Sequence, residues 1–328
     1  MIAAVQVTPL HWAVFILCIL FFLALDLGLF HRRARVLKFK EALAWSTVWI
    51  ALSLLFAVGL VHWRGREEAV EFATGYVIEF SLSLDNIFVI ALLFAYFRVP
   101  EEARHRLLFW GILGALVMRG AMIALGVTLI QSFSWILYVL GIFLVFTGAR
   151  MLFTGKAKAQ PEQNLAIRLA RRFFPAATNG LDRTASPEGV ARFAPAPLLL
   201  VLALVEITDL IFAMDSIPAV FAVTTKPFIV FTSNVFAILG LRSLYFVLVG
   251  AINYFRHLKT GLSVVLVFVG VKMLLGPHGH EPEWFQIEIP TGVSLLVVAG
   301  IFLISIVLSV TAAQREKKHP RINMDGHG

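Results

Sequence analysis

Nine apolar stretches dominate the chain, near residues 10–30, 43–63, 72–97, 107–130, 133–153, 197–222, 228–252, 258–276 and 290–312. Each matches the ~20 residues a helix needs to cross the hydrocarbon core of a bilayer. The solvent for most of the chain is therefore lipid, and the expected fold is an all-α polytopic membrane protein of about nine transmembrane helices. Composition agrees: 59% of the 328 residues are hydrophobic, 15% are charged, and mean hydropathy is +0.85. The first stretch reads as a span and not a cleaved signal, because its basic cluster follows it and no small-residue cleavage motif is present.

The net charge of +8 raises the question of a nucleic-acid partner. Assigning the loops alternately to two sides puts 21 Lys and Arg residues on one side, including Arg32, Arg33, Arg35, Arg168, Arg171 and Arg172; Arg64, Arg66 and Lys226 fall on the other. By the positive-inside rule the basic side is cytoplasmic, which puts the N-terminus outside and the C-terminus inside. The positive charge is spread over five segments, so it encodes topology and no nucleic-acid partner is expected. Between the fifth and sixth spans, the 154–196 loop contains PEQNLAIRLARRFFP, with Leu165, Leu169 and Phe173 at helical spacing. This predicts a basic amphipathic helix on the inner leaflet. Cys18, the only cysteine, is expected to be a buried small hydrophobe in the first span, and one thiol allows no intrachain disulfide or dithiol couple.

Three markers recur in order. LVFTGARMLF at 144–153 matches LVFVGVKMLL at 266–275, Arg119 in GALVMRGAM matches Arg242 in AILGLRSLY, and Glu79-FSLSL-Asp85-Asn86 matches Asp209-LIFAM-Asp215-Ser216. Spans three to five (about 72–153) are thus repeated as spans six to eight (about 197–276), with 290–312 as the final span of a single transmembrane domain covering 1–328. An odd number of spans per unit inverts the second copy, an architecture common among secondary transporters.

Glu79 and Asp85 lie in the third span, and Glu206, Asp209 and Asp215 in the sixth; Arg119 and Arg242 lie in the fourth and seventh. Each such charge costs ~2.5–3.5 kcal/mol at the bilayer centre if it faces lipid. The five acids and two arginines must therefore face one another or water. Charge pairing by Arg119 and Arg242 leaves an excess of three carboxylates, which calls for protons or a bound cation. Glu206 and Asp209 share a helical face, whereas Asp85 and Asp215 point away from the acids six residues before them. Either they serve different neighbours, or the helix breaks near the aspartate, as Pro218 suggests for the sixth span. The candidate ligands are all oxygen-bearing: the carboxylates with Asn86, Ser81, Ser83, Ser216 and Thr208. Oxygen suits manganese, magnesium or calcium better than copper or zinc. Met214 is expected to pack, and Asp26 to pair with Arg32 and Arg33, with a site role as the alternative. The loop residues His278, His280, Glu281 and Glu283 are read as solvated, and Arg150 and Lys272 as snorkelling. The plain structural alternative, acids and arginines merely locking helices together, accounts for two of the five acids.

The strings DLGLFHRR, IEFSLSLDNIFV and LVEITDLIFAMDSIPAVFAVTTKPFIVFTSNVFAILGLRSLYF resemble the TerC family of integral membrane proteins, closest to its Alx-like members, over roughly residues 24–312. The resemblance implies a bacterial inner-membrane protein with a LysE-like fold and manganese efflux as its activity; older labels for the family are tellurium resistance and membrane-bound redox modulation. Its acidic motif residues fall on Glu79, Asp85, Asn86, Glu206, Asp209, Asp215 and Ser216. Phe80 stands where the family often has lysine, and Lys226 where an acid is common before PFIV.

The leading expectation is a secondary transporter, not an enzyme, that exports Mn²⁺ in exchange for protons and holds no permanent cofactor. Its partners are the lipid bilayer, the divalent cation and protons, with a homo-oligomer or contact with the secretion machinery left open. Alternatives are a membrane factor delivering Mn²⁺ to secreted metalloproteins and an intramembrane redox or stress-response protein answering tellurium or alkaline pH. A metal-dependent transferase holding Mg-diphosphate would need its acids at the cytoplasmic face, whereas these lie inside the spans.

Overall fold

A computed structural model describes residues 7–31, 39–154, 195–250, 258–277, 286–287 and 289–318, with the side chains of 25–31, 154, 195–197, 250, 258, 313 and 315–318 excluded. The basic run 32–38, the amphipathic segment 161–175, the histidines and glutamates of 278–283 and the Asp26 side chain lie outside the described residues.

All the described secondary structure is helical. In chain order the helices are α1 (Pro9–His31), α2 (Phe39–Trp63), α3 (Arg66–Tyr96), α4 (Glu101–Ser132), α5 (Ile136–Thr154), α6 (Pro195–Phe221), α7 (Pro227–Leu239), α8 (Leu241–Gly250), α9 (Leu258–Leu275) and α10 (Thr291–Lys318). Five of them, α2, α3, α4, α5 and α10, are long and apolar enough to cross a membrane, and the bent pair α7–α8 makes a sixth. The chain is a polytopic membrane protein. A large apolar outer surface, with Leu17, Leu55, Val117, Phe146 and Leu296 among its exposed residues, is what lipid as solvent demands.

α3 is the hub. It packs against α2, α6, α7, α8, α9 and α10, and 61% of its apolar stretch is buried, against 22% in α2 and 28% in α4. It follows α2 through a tight turn at Gly65, whose φ of 97° suits a residue without a side chain. On one flank, aromatic side chains from four helices fill the space, with Phe56 against Phe72 at 5.0 Å and Phe72 edge-on to Phe236 at 5.7 Å. Phe15 of α1 joins Phe236 and Phe228 in the same cluster.

The packing of α5 on α9 is set by glycines. A Cβ on Gly148 would stand 2.9 Å from the Ser263 carbonyl oxygen and 2.8 Å from the Val267 side chain, and one on Gly270 would stand 2.9 Å from the Gly141 carbonyl oxygen and from the Val145 side chain. These contacts make the two helices antiparallel neighbours in near backbone contact, the use small residues serve between membrane helices. The pairs are reciprocal in the 122-residue offset read from the sequence: Val145 corresponds to Val267 and Gly148 to Gly270.

Two expectations are corrected. α6 is not interrupted at Pro218, but runs on to Phe221. Pro218 lies in the last turn, where its missing N–H deprives only the Met214 carbonyl of a helical donor, and its own carbonyl still accepts from Ala222 at 3.1 Å. The break falls one span later: α7 and α8 meet at Gly240 with a 42° bend. Cys18, expected to be buried, is exposed on the outer face of α1.

Candidate functional site

α3, α4 and α6 converge on Arg119, among the largest fully buried side chains described, at 2% exposure. α4 reaches it through a row of small residues. A Cβ on Gly111 would stand 3.1 Å from Val205, one on Gly126 would stand 2.5 Å from the Phe221 ring, and one on Gly114 would overlap the Glu206 carboxylate. The α6 side chains can therefore lie directly on the α4 backbone.

The guanidinium is shared between α3 and α6. Its Nε donates to Asp209 Oδ2 at 3.1 Å and its Nη2 to Asp209 Oδ1 at 2.9 Å, the two-pronged geometry that suits arginine to carboxylates. Its Nη1 pairs with Glu79 and lies 3.5 Å from Ser216 Oγ. Asn86 Nδ2 donates to Asp209 Oδ1 at 2.7 Å. Glu79, Asn86, Arg119, Asp209 and Ser216 thus form one buried cluster drawn from three helices. Glu206 lies on Gly114 within electrostatic reach of Asp209, which adds a third carboxylate beside the two that Arg119 bridges. Several oxygens there are buried without a hydrogen-bond partner: Glu79 Oε2, Ser83 Oγ, Asn86 Oδ1 and Glu206 Oε2. Such groups are costly to bury, and a cation or a proton would satisfy them.

The remaining sequence-derived candidates lie apart from the cluster. Asp85 turns to α9, within electrostatic reach of Lys259, and Asp215 is hydrogen-bonded to Thr147 of α5. With α3 and α6 both continuous, each aspartate six residues past an acid serves a different neighbour. Thr208 donates to the Leu204 carbonyl at 2.7 Å and Ser81 to Val77 at 2.6 Å, so both hydroxyls are tied to their own helices. Met214 is 52% exposed and packs less than expected. Arg242 is buried on α8 near His105, whose ring stacks on Phe246 at 4.5 Å. Among the described residues, no three His, Cys, Asp or Glu side chains stand as a ready metal site. Arg119 occupies the space between Glu79 and Asp209.

A second charged group, overlooked in the sequence, closes the N-terminal end of α3. Arg64 grips Glu68 through Nε at 2.6 Å and Nη2 at 2.9 Å. Lys226, at the start of α7, lies 3.2 Å from Glu71 and 3.5 Å from Glu68, and the Thr224 hydroxyl donates to Glu71 at 2.9 Å. Lys272, expected to snorkel, lies half-buried within electrostatic reach of Glu71. The sequence signal was available in Glu67, Glu68 and Glu71 at the start of the third apolar stretch, with the isolated Lys226 before PFIV.

Residues 64–318 match the family described as integral membrane protein TerC. An uncharacterized membrane protein of Myxococcus xanthus is 49% identical over 304 residues, covering 92% of each chain. An Escherichia coli K12 protein, Alx, named as a proposed membrane-bound redox modulator, is 44% identical over 323 residues, covering 95% of this chain and 97% of its own. An uncharacterized membrane protein of Rickettsia bellii is 35% identical over 308 residues, covering 92% of this chain and 97% of its own. No solved structure matches the chain.

Proposed function

The chain belongs to the TerC family of integral membrane proteins, and from that premise we propose that it is a bacterial inner-membrane secondary transporter that exports divalent cations, Mn²⁺ foremost, in exchange for protons. One observation carries this reading: a buried cluster in the centre of the helix bundle holds three carboxylates against one guanidinium, with four oxygens unsatisfied. The formal charge left over, three minus one, is the charge of one divalent cation or two protons. Exchange of one for the other is the chemistry such a site favours. The donors are all oxygen, which suits Mn²⁺ over soft or imidazole-seeking metals.

The ten described helices are read as nine spans, with α7 and α8 as two halves of the seventh, the N-terminus outside and the C-terminus in the cytoplasm. Spans three to five and six to eight form an inverted repeat of LysE-like design. The reciprocal glycine contacts of α5 and α9 support this pseudo-symmetry. So does the antiparallel approach of α3 and α6, in which Gly75 faces Val220 and Asn86 faces Asp209. Alternating access would carry Arg119 away from one of its two acids and free carboxylate oxygens for the cation. The name of the Escherichia coli relative suggests redox work instead, but a single cysteine gives this chain no dithiol couple of its own.

The test is the manganese content of cells that overproduce the protein. Wild-type protein is expected to lower it, and Glu79→Gln or Asp209→Asn to restore it. Equal manganese content in all three strains and the empty control would overturn the proposal.

A further inference from the structure

Buried hydroxyls in an apolar helix ordinarily discharge their hydrogen-bonding need on the carbonyl three or four residues before them. Ser46, Ser53, Ser81, Ser233, Ser243, Ser263, Ser294 and Ser305 all do so here, as do Thr74, Thr208 and Thr232. Ser83 does not. It is 1% exposed, and its Oγ is buried without a hydrogen-bond partner.

Its position on α3 gives this a meaning. Glu79, Ser83 and Asn86 follow one another at spacings of four and three, which places them on one helical face. The residues at both ends of that stripe are fixed by contacts: Glu79 pairs with Arg119, and Asn86 donates to Asp209. Ser83 lies between them along the helix, and its spacing puts it on the same face. Each member of the stripe presents a buried oxygen with no partner: Glu79 Oε2, Ser83 Oγ and Asn86 Oδ1. Ser81, two residues away on another face, is bonded to its own helix and presents none.

We infer that Ser83 is a ligand-bearing, selectivity-determining residue of the central cluster, supplying a hydroxyl oxygen to the transported cation between the Glu79 carboxylate and the Asn86 amide. The inference rests on the transporter reading above. A neutral hydroxyl between a carboxylate and an amide oxygen gives a set of hard donors with limited charge, suited to Mn²⁺ and poor for Cd²⁺ or Zn²⁺. The side chain therefore sets preference among metals more than it sets the capacity to move one.

The test is a chemical exchange at this atom. Purified wild type, Ser83→Ala and Ser83→Cys are reconstituted into liposomes, and initial fluxes of Mn²⁺ and Cd²⁺ are measured over a concentration series. Binding of the same two metals to detergent-solubilised protein is read by calorimetry, so that a variant with slow turnover still reports. For Ser83→Ala a KM for Mn²⁺ raised about tenfold is expected, with maximal flux within about twofold of wild type. For Ser83→Cys the Cd²⁺ to Mn²⁺ preference should rise at least tenfold in flux or in binding, because sulfur replaces oxygen at the ligand position. A merely structural serine would not produce that shift. If wild type carries Mn²⁺ and Ser83→Cys keeps the wild-type preference in both measurements, the inference is overturned while the transporter reading stands. If wild type moves neither metal, the transporter reading falls and the inference with it.

Discussion

At the N-terminal end of α3, Glu68 and Glu71 meet Arg64 and Lys226, two carboxylates against two cations, and Lys226 is 40% exposed. About two turns further along the same helix, Glu79 meets Arg119, which also serves Asp209, and Glu206 adds a third acid to the single cation. The N-terminal group gives each of these carboxylates a cation, reaches solvent through Lys226, and ties the start of α7 to α3. The central group is unmatched, buries Glu79, Arg119 and Asp209 at 0–3% exposure, and leaves oxygens without partners. A lock between helices needs only the first arrangement. The second is costly in lipid and is best explained by a charge that comes and goes.

The largest effect should come from removing the central cation. Arg119→Leu leaves Glu79 and Asp209 buried and uncompensated, and a loss of ~3–5 kcal/mol in stability is expected, seen as a large fall in Tm in detergent. Arg64→Leu at the N-terminal pair, where Glu68 keeps Lys226 at 3.5 Å as a second cation, should cost less, ~1.5–3 kcal/mol. Equal losses would erase the distinction between the two groups.

Next comes the α4 surface on which Glu206 lies. On that surface Gly126→Ala sets a methyl group 2.5 Å from the packed Phe221 ring and should destabilise by ~1–3 kcal/mol. Gly59→Ala, with nothing within 4 Å of its added carbon, should be neutral or stabilising by up to ~1 kcal/mol. Thermal unfolding of the two variants side by side separates close packing from general helix propensity. The smallest effect is expected at Lys226→Gln, ~0.5–1 kcal/mol, shrinking further in molar salt because the pair is screened. A salt-independent loss of several kcal/mol there would show that the N-terminal group is as strongly coupled as the central one.

Much of this was legible in the residues, for physical reasons that also explain what was not. Charges inside apolar stretches cannot be concealed, so Glu79, Arg119 and Asp209 stood out at once. That one arginine would serve acids from both α3 and α6 depends on a contact between Arg119 and Asp209, 90 residues apart, which no local pattern encodes. Pro218 gave a strong break signal that the helix absorbs in its last turn, whereas Gly240, at the real bend, is a weak signal because a helix tolerates glycine at about 1 kcal/mol. Cys18 was misplaced because lipid-facing and protein-facing positions are equally apolar in a membrane helix. Ser83 looked like Ser81 in the sequence; only packing reveals that one hydroxyl is tied to its own backbone and the other is not.

The most direct test of a cation-for-proton centre is flux into liposomes containing the purified protein and a metal-sensitive dye, with a panel of Mn²⁺, Mg²⁺ and Ca²⁺ and an imposed pH gradient. Mn²⁺ flux that follows the gradient, reverses with it, and vanishes in Glu79→Gln and Asp209→Asn is the result expected. Flux absent in wild type, or present and unchanged in both variants, would contradict a transport role for the buried carboxylates.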